Sequence, residues 1–469
     1  MENADRILSG SKLRKVLLAT LVVPFSILLL ASRFAGEAPA SELTANIYST
    51  SLALCCWWAA WRLLFSRIFG RRLFFTLTLL VLLRMALNFG HFYFVFAPLA
   101  GIESSNALPD ADFTGDVSPI FNSALIFRDR CRDYGVFDAV FGDYYRAINN
   151  PGVGILYGWL FSIFGTYGTI AIPWAIIYSA FASLVLGLTG LSMALPYRDC
   201  RAVVLLVFLM PGLYVFPPVY RDNFMVYLLA LSGYTALILR HENILLIVVV
   251  VVVESILLYS LRGAYLFVPA TFCVVALTMQ ARRKMTLALR GVALAVLLIP
   301  VFIVSRGYLE QHIDASVGRF ASASRVEATY PILAPFQKGG PLLFIPAAAV
   351  FLLLTPMPWW QNISPTLLSY QVFSYGQTWY ALTAIVALVI LIRRGMISTE
   401  AAIATAFFVV LFLLTLLGAE ELAPAYVQIG IPFAILASIG SLKERTGRCF
   451  AISTAIIVVA HTILLFKKF

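Results

Sequence analysis

The sequence predicts an all-α protein: a polytopic transmembrane helical bundle of about thirteen spans, with two larger extracytoplasmic loops carrying interfacial helices. Three observations lead there. Of 469 residues, 61% are hydrophobic and only 12% are charged, whereas a soluble domain carries roughly 25% charged residues. Mean hydropathy is +0.90, more apolar surface than a globular core can bury. The apolar residues also arrive in runs close to the ~20 residues that a helix needs to cross a bilayer.

Taken in order, runs at 16–31, 47–61 and 74–97 read as the first three spans. Lys12, Arg14 and Lys15 precede the first run, and small residues near Ala38 and Ala40 follow it, as in a secretory signal; it is read as an uncleaved span. Runs at 168–194, 202–217, 223–239, 244–260, 263–280 and 285–304 come next, then 376–392, 400–417, 426–440 and 449–466. Two shorter stretches, 151–164 and 341–355, suit re-entrant or interfacial helices. If neither crosses, the inner loops hold Arg62, Arg67, Arg71, Arg72 and the Arg282–Lys284 cluster, and the acidic excess falls outside. That satisfies the positive-inside rule with the N-terminus cytoplasmic. The chain then forms one integral membrane domain, 1–469, with outer loops at 98–150 and 305–340. In the first loop, IFRDRCRDYGVFDAVFGDYYRAI alternates aromatic and charged residues, as helices on a membrane surface do.

Several function classes are disfavoured. The net charge of +11 is scattered between apolar runs, which argues against nucleic acid as a partner. The six cysteines show no CxxC and no zinc spacing, so no disulfide framework or metal site is assigned. No P-loop, HExxH, GxSxG or GxGxxG occurs in a fitting context, which leaves ATP-driven transport without support.

Three sets of residues stand out. Arg84, Asn88 and His91 share one face of the third span, an intramembrane polar stripe whose bland explanation is an ion pair with Glu254. Arginines recur at outer helix ends and in the second loop: Arg221, Arg262, Arg306, Arg319 and Arg325. Each alone reads as a snorkelling side chain, but together they offer planar donor forks suited to phosphate. The first outer loop gathers Asp110, Asp112 and Asp116, followed by Asp129, Asp133, Asp138 and Asp143. A carboxylate there suits a general base, with Asp112 and Asp116 favoured and His312 in reserve; the bland explanation is a hydrated acidic loop with capped surface helices.

This arrangement resembles the GT-C superfamily of membrane glycosyltransferases and the Wzy-type polysaccharide (O-antigen) polymerases. The likeness is carried by PDADFTGD, then NNPGVGILYGWLFSIFG, MPGLYVFPPVYRDN and GGPLLFIPAAAVFLLLTPMPWW. The pairs Arg221 and Gly233, and Arg306 and Gly318, are similar to the Arg–Gly spacing in two outer loops of such polymerases, each one residue longer. The adjacent acidic pair that some GT-C enzymes carry after their first span is not matched; Asp110 and Asp112 after the third span stand in its place. The resemblance implies a multi-pass protein of the bacterial inner membrane that transfers sugar from a polyprenyl-(di)phosphate, such as undecaprenyl phosphate, at the outer face. Its partners would be a lipid-linked glycan donor and acceptor, membrane lipids, and envelope-assembly proteins such as a chain-length regulator. No cofactor is required, and a divalent metal has no ligand set in its support. The alternatives are a lipid-linked glycan flippase or other transporter, and an O-antigen ligase.

Overall fold

The computed structural model describes residues 11–34, 41–106, 117–134, 151–211, 222–238, 244–281, 334–338, 341–354, 365–395, 398–418 and 429–468. Among the described residues every regular element is helical. The run 285–304 lies outside them.

Helix α1 (Ser11–Leu17) passes through a π-turn into α2 (Val23–Phe34). The helix α3 (Glu42–Ala60) opens on Ser41, whose extended backbone lets its Oγ accept from the Thr44 N–H, a side-chain N-cap. A second π-turn leads into α4 (Ser66–His91), and a third into the short α5 (Ala97–Ala100). Together 42–96 form one 55-residue apolar helical stretch, about twice what one crossing needs. Gly70 breaks it, at φ 71° and ψ 167°, a left-handed conformation that only glycine adopts without strain. The predicted division between the second and third spans falls at this break.

Next come α6 (Val117–Tyr134) and α7 (Pro151–Phe164). They are followed by a 3-10 turn at Gly168–Ala171, α8 (Ile172–Ser192), α9 (Tyr197–Phe208), α10 (Asp222–Ile238) and α11 (Ile244–Leu261). A 3-10 turn at Gly263–Tyr265 precedes α12 (Val268–Ala281). The remainder is α13 (Ala334–Lys338), α14 (Pro341–Leu354), α15 (Pro365–Arg393), α16 (Thr399–Gly418) and α17 (Ile431–Lys468), the last kinked at Arg445.

Among the described residues four stretches are long and apolar enough to cross a membrane: Leu13–Ala31, Glu42–Phe96, Gly168–Ser192 and Gly376–Arg393. Shorter apolar helices surround them, among them Asp222–Ile238 and Thr399–Leu414. Helix α8 is apolar on every side, and such a helix belongs in the centre of a bundle. It is almost wholly buried, against α3, α4, α9, α10 and α17. Helix α9 ends earlier than the predicted run 202–217, giving way at Leu209. Pro211 accounts for this, because it disfavours helix in the residue before it and brings no N–H.

The two stretches left open as re-entrant or interfacial, 151–164 and 341–355, are the fourteen-residue helices α7 and α14. The amphipathic α6 turns Phe121, Ala124 and Phe127 onto α7, and the Phe121 and Phe161 rings meet edge to face at 5.3 Å. Gly158 sets this approach, since a Cβ there would lie 2.5 Å from the Ala124 carbonyl oxygen and 2.8 Å from the Phe127 Cβ. Gly158→Val should push α6 off α7 and lower stability by about 2–3 kcal/mol, read as a drop in the unfolding midpoint of the purified protein. An unchanged midpoint would mean that the two helices do not pack this closely.

The helix order places Phe69, Tyr197, Asp199 and Lys443 at one end of the bundle. There the Tyr197 hydroxyl donates to the Phe69 carbonyl at 2.6 Å, and Lys443 Nζ pairs with Asp199 Oδ1 at 3.2 Å. The starts of α3 and α8 and the end of α4 lie at the opposite end, where a polar cluster forms.

Candidate functional site

Glu42, in the first turn of α3, organises that cluster. Its Oε1 accepts from Tyr93 Oη at 2.9 Å, Ser105 Oγ at 2.5 Å and Thr169 Oγ1 at 2.8 Å. Oε2 accepts from Ser104 Oγ at 2.9 Å and the Ser105 N–H at 3.2 Å. One carboxylate thereby ties the start of α3 to the end of the third span and to the corner before α8. The Gly168 N–H reinforces the corner by donating to the Ser105 carbonyl at 3.2 Å. A carboxylate this fully bonded is a poor base. Its chemical part is to fix three chain segments and to hold a negative charge.

Asn46, one helical turn along α3, donates from Nδ2 to Tyr93 Oη at 2.8 Å. Its Oδ1 is buried without a hydrogen-bond partner, which costs about 1–3 kcal/mol in an otherwise satisfied protein. Beside these groups a cavity of about 570 Å³ opens between α3 and α4. Glu42, Asn46 and Tyr93 form its polar end, and Leu43, Ile47 and Phe89 line its apolar wall.

The stripe on the third span is placed as follows. Arg84 is 4% exposed, and Asn88 is buried next to it. The Arg84 guanidinium donates to the Phe208 carbonyl and, at 3.1 Å, to the Met210 carbonyl, with the Phe208 ring 5.0 Å from its carbon. It therefore caps the carbonyls freed where α9 stops before Pro211. Asn88 Nδ2 donates back to the Arg84 carbonyl at 2.8 Å, while His91 is only partly buried. The alternative of an Arg84–Glu254 ion pair does not hold. Glu254, in α11, is 2% exposed and accepts from Thr235 Oγ1 at 3.0 Å, and its Oε2 has no hydrogen-bond partner.

Among the phosphate-binding candidates Arg262 is described. It is buried, in extended conformation, between the last turn of α11 and the 3-10 turn that follows. Its N–H donates to the Leu258 carbonyl at 2.7 Å, and its carbonyl accepts from the Tyr265 N–H at 3.0 Å. Helix α7 starts against this turn: a Cβ on Gly152 would fall 2.1 Å from Ser260 Oγ. The other end of α7 leads into the corner that carries Thr169, so one short helix joins the Arg262 turn to the Glu42 cluster.

Arg221, Arg306, Arg319, Arg325, Asp112, Asp116 and His312 lie outside the described residues. Asp129, from the same acidic loop, pairs with its neighbour Arg128. Gly233, the second member of one Arg–Gly pair, sits in the packed middle of α10, where a Cβ would come within 2.6 Å of the Phe433 ring. Burial pushes the Cys131 thiol in α6 up to about 11, which leaves little thiolate at neutral pH. Among the described residues no group of three His, Cys, Asp or Glu side chains could hold a metal ion.

Sequence reasoning missed the Glu42 cluster. The usable signal was small: an N-cap serine, Ser41, with an acid directly after it and Thr44 three residues on. No family model, curated protein or solved structure matches this chain.

Proposed function

We propose that this chain is an integral membrane glycosyltransferase of about thirteen spans. It would act on polyprenyl-(di)phosphate-linked sugars at the outer face of the bacterial inner membrane, as a polysaccharide polymerase of GT-C-like type. The observation that carries the reading is Arg262, a buried arginine at a helix end. In the proposed topology that end is outer, and Arg221 and Arg306 stand at the neighbouring outer helix ends. Such forks suit the developing charge on a departing polyprenyl phosphate, the larger electrostatic task in glycosyl transfer. Asp112 or Asp116, with His312 as the third candidate, would take the proton from the acceptor hydroxyl as it attacks the anomeric carbon.

The test is glycan formation by purified protein from a lipid-linked donor, with donor binding measured alongside. A charge-assisted bond of ~1.5–3 kcal/mol translates into a roughly 10- to 150-fold loss of turnover for Arg221→Ala, Arg262→Ala or Arg306→Ala. Lysine at these positions should restore part of the rate, because it keeps the charge and loses the fork. Asparagine at the true base should stop turnover and spare donor binding. Three alanine variants that fold and turn over normally would sink the phosphate clamp.

A second reading, a flippase or other transporter, draws on Glu254. A carboxyl buried in the bundle with one oxygen unbonded is the kind of group a proton- or cation-coupled carrier uses. Translocation of a labelled lipid-linked sugar across vesicles without its elongation would favour that reading. An O-antigen ligase shares the donor chemistry and would differ in using a preformed acceptor of another kind.

A further inference from the structure

Glu254 lies near the middle of the apolar helix α11. It is 2% exposed, and Val251 and Leu258, one turn away on either side, are buried with it. Oε1 accepts from Thr235 Oγ1 on α10 at 3.0 Å. Oε2, the oxygen left for an ion pair, has neither accessible surface nor a hydrogen-bond partner. Ser232, one turn before Thr235, lies beside the carboxyl, but its single proton goes to the Leu228 carbonyl at 2.9 Å.

These bonds decide what the carboxyl holds. An ionised carboxylate would bury a full charge behind a single hydrogen bond, which apolar surroundings do not support. A hard metal ion would offset the charge, but it takes about six oxygen ligands. The described side chains at this point supply the carboxyl and the hydroxyls of Thr235 and Ser232. A proton on Oε2 removes the charge, asks for no further ligand and leaves the Thr235 bond to Oε1 in place. An uncharged hydroxyl without an acceptor costs far less than a bare charge.

Helix α11 packs against α7, α10, α12 and the 3-10 turn that follows it. Tyr227 on α10 and Cys273 on α12 are within electrostatic range of Glu254, and neither carries a positive charge. Helix α10 also bears Tyr234 and, at its start, Asp222, while Tyr157 on α7 meets the Phe224 ring edge to face. Arg262 and Tyr265 belong to the turn, and Arg262 lies about 12 Å along the chain from Glu254 by the helical rise.

We propose that Glu254 is a proton-binding site, and that the bound proton keeps α10, α11 and α12 closed around it. Binding adds one proton to Oε2 and removes one negative charge. Losing that proton sets a charge among the three helices, so water enters or the helices part. The linkage is reciprocal: whatever separates the helices releases the proton. The site serves a glycosyltransferase as well as a carrier and rests on neither reading.

The experiment uses the full-length protein in phosphatidylcholine liposomes. Infrared difference spectra of wild type against Glu254→Gln at neutral pH should show the carbonyl stretch of a protonated carboxylic acid, lost in the variant. Glutamine copies the neutral acid in shape and keeps an acceptor for Thr235; should it fail to fold, Glu254→Met, equally unable to ionise, replaces it. The second readout is N-ethylmaleimide labelling of Cys273, a fully buried thiol beside Glu254, followed by mass spectrometry of its peptide. Alkali ionises thiols in both proteins, so the wild type is read relative to the variant. On moving from neutral to alkaline pH the wild type should gain about tenfold more Cys273 label, within the usual range of coupling between two sites. A carboxylate band in place of the acid band at neutral pH would overturn the proposal. So would an equal gain of Cys273 label in the two proteins.

Discussion

Glu42→Ala should lower the stability of the protein by about 3–5 kcal/mol, one of the two largest losses expected from a single substitution. Hydrogen bonds to a charged group contribute roughly 1.5–3 kcal/mol each, and this carboxylate receives five. The sum is not the expected loss, because the exposed Tyr93 and half-buried Ser104 hydroxyls can turn to water at this partly open end. The Ser105 N–H and the buried Thr169 hydroxyl are harder to satisfy, and they sit on two different segments. Glu42→Gln keeps one acceptor oxygen and should lose about half as much. Denaturant titration of the purified protein reads both effects. A wild-type midpoint for the alanine variant would show that the three segments are held by something else.

Arg84→Met should cost about 3–5 kcal/mol as well, by a different route. Methionine matches the apolar stem and removes the donors. The Phe208 and Met210 carbonyls would then be left unpaired in apolar surroundings, where each orphan costs about 1–3 kcal/mol. Against this stands the relief of burying no charge, which keeps the estimate below the sum of two charge-assisted bonds. Arg84→Lys retains the charge but reaches one carbonyl at most, and should fall between wild type and methionine. The same titration discriminates the three. Were methionine as stable as arginine, the end of α9 would not depend on this cap, and the stripe would have to be explained by function.

Much of the helical architecture was legible in the sequence, and specific residues show why. Helix α7 occupies 151–164, the run that the sequence outlines, because Pro151 and Gly165 punctuate it on both sides. The break between the second and third spans was legible as a polar interval and owes its geometry to Gly70. The spacing of Arg84 and Asn88 told which face they share. It did not tell their partners, because a backbone carbonyl has no signature in sequence; Phe208 lies 124 residues away. The bland alternative, an ion pair with Glu254, rested on charge alone; Arg84 instead donates to the Phe208 and Met210 carbonyls, and Glu254 accepts from Thr235 on the adjoining helix. The Glu42 cluster was the hardest to foresee. Tyr93, Ser104, Ser105 and Thr169 are unremarkable residues in three separate stretches, and only tertiary structure gathers them.

That gathering bears on the order in which the protein is made. Glu42 and Thr169 are 127 residues apart, so at ~5–20 residues per second the ribosome supplies the last donor several seconds to tens of seconds after the carboxylate has emerged. In that interval, among the described residues, α3 is tied to the end of the third span here by the bonds from Tyr93, Ser104 and Ser105 to Glu42 and by the bond from Asn46 to Tyr93. The corner at Gly168–Ala171 then arrives together with α8, the helix against which α3 and α4 pack. Closure of the cluster and installation of the central helix are thus one event in biogenesis. A nascent chain released before that point would carry an anionic knot still lacking its final strand.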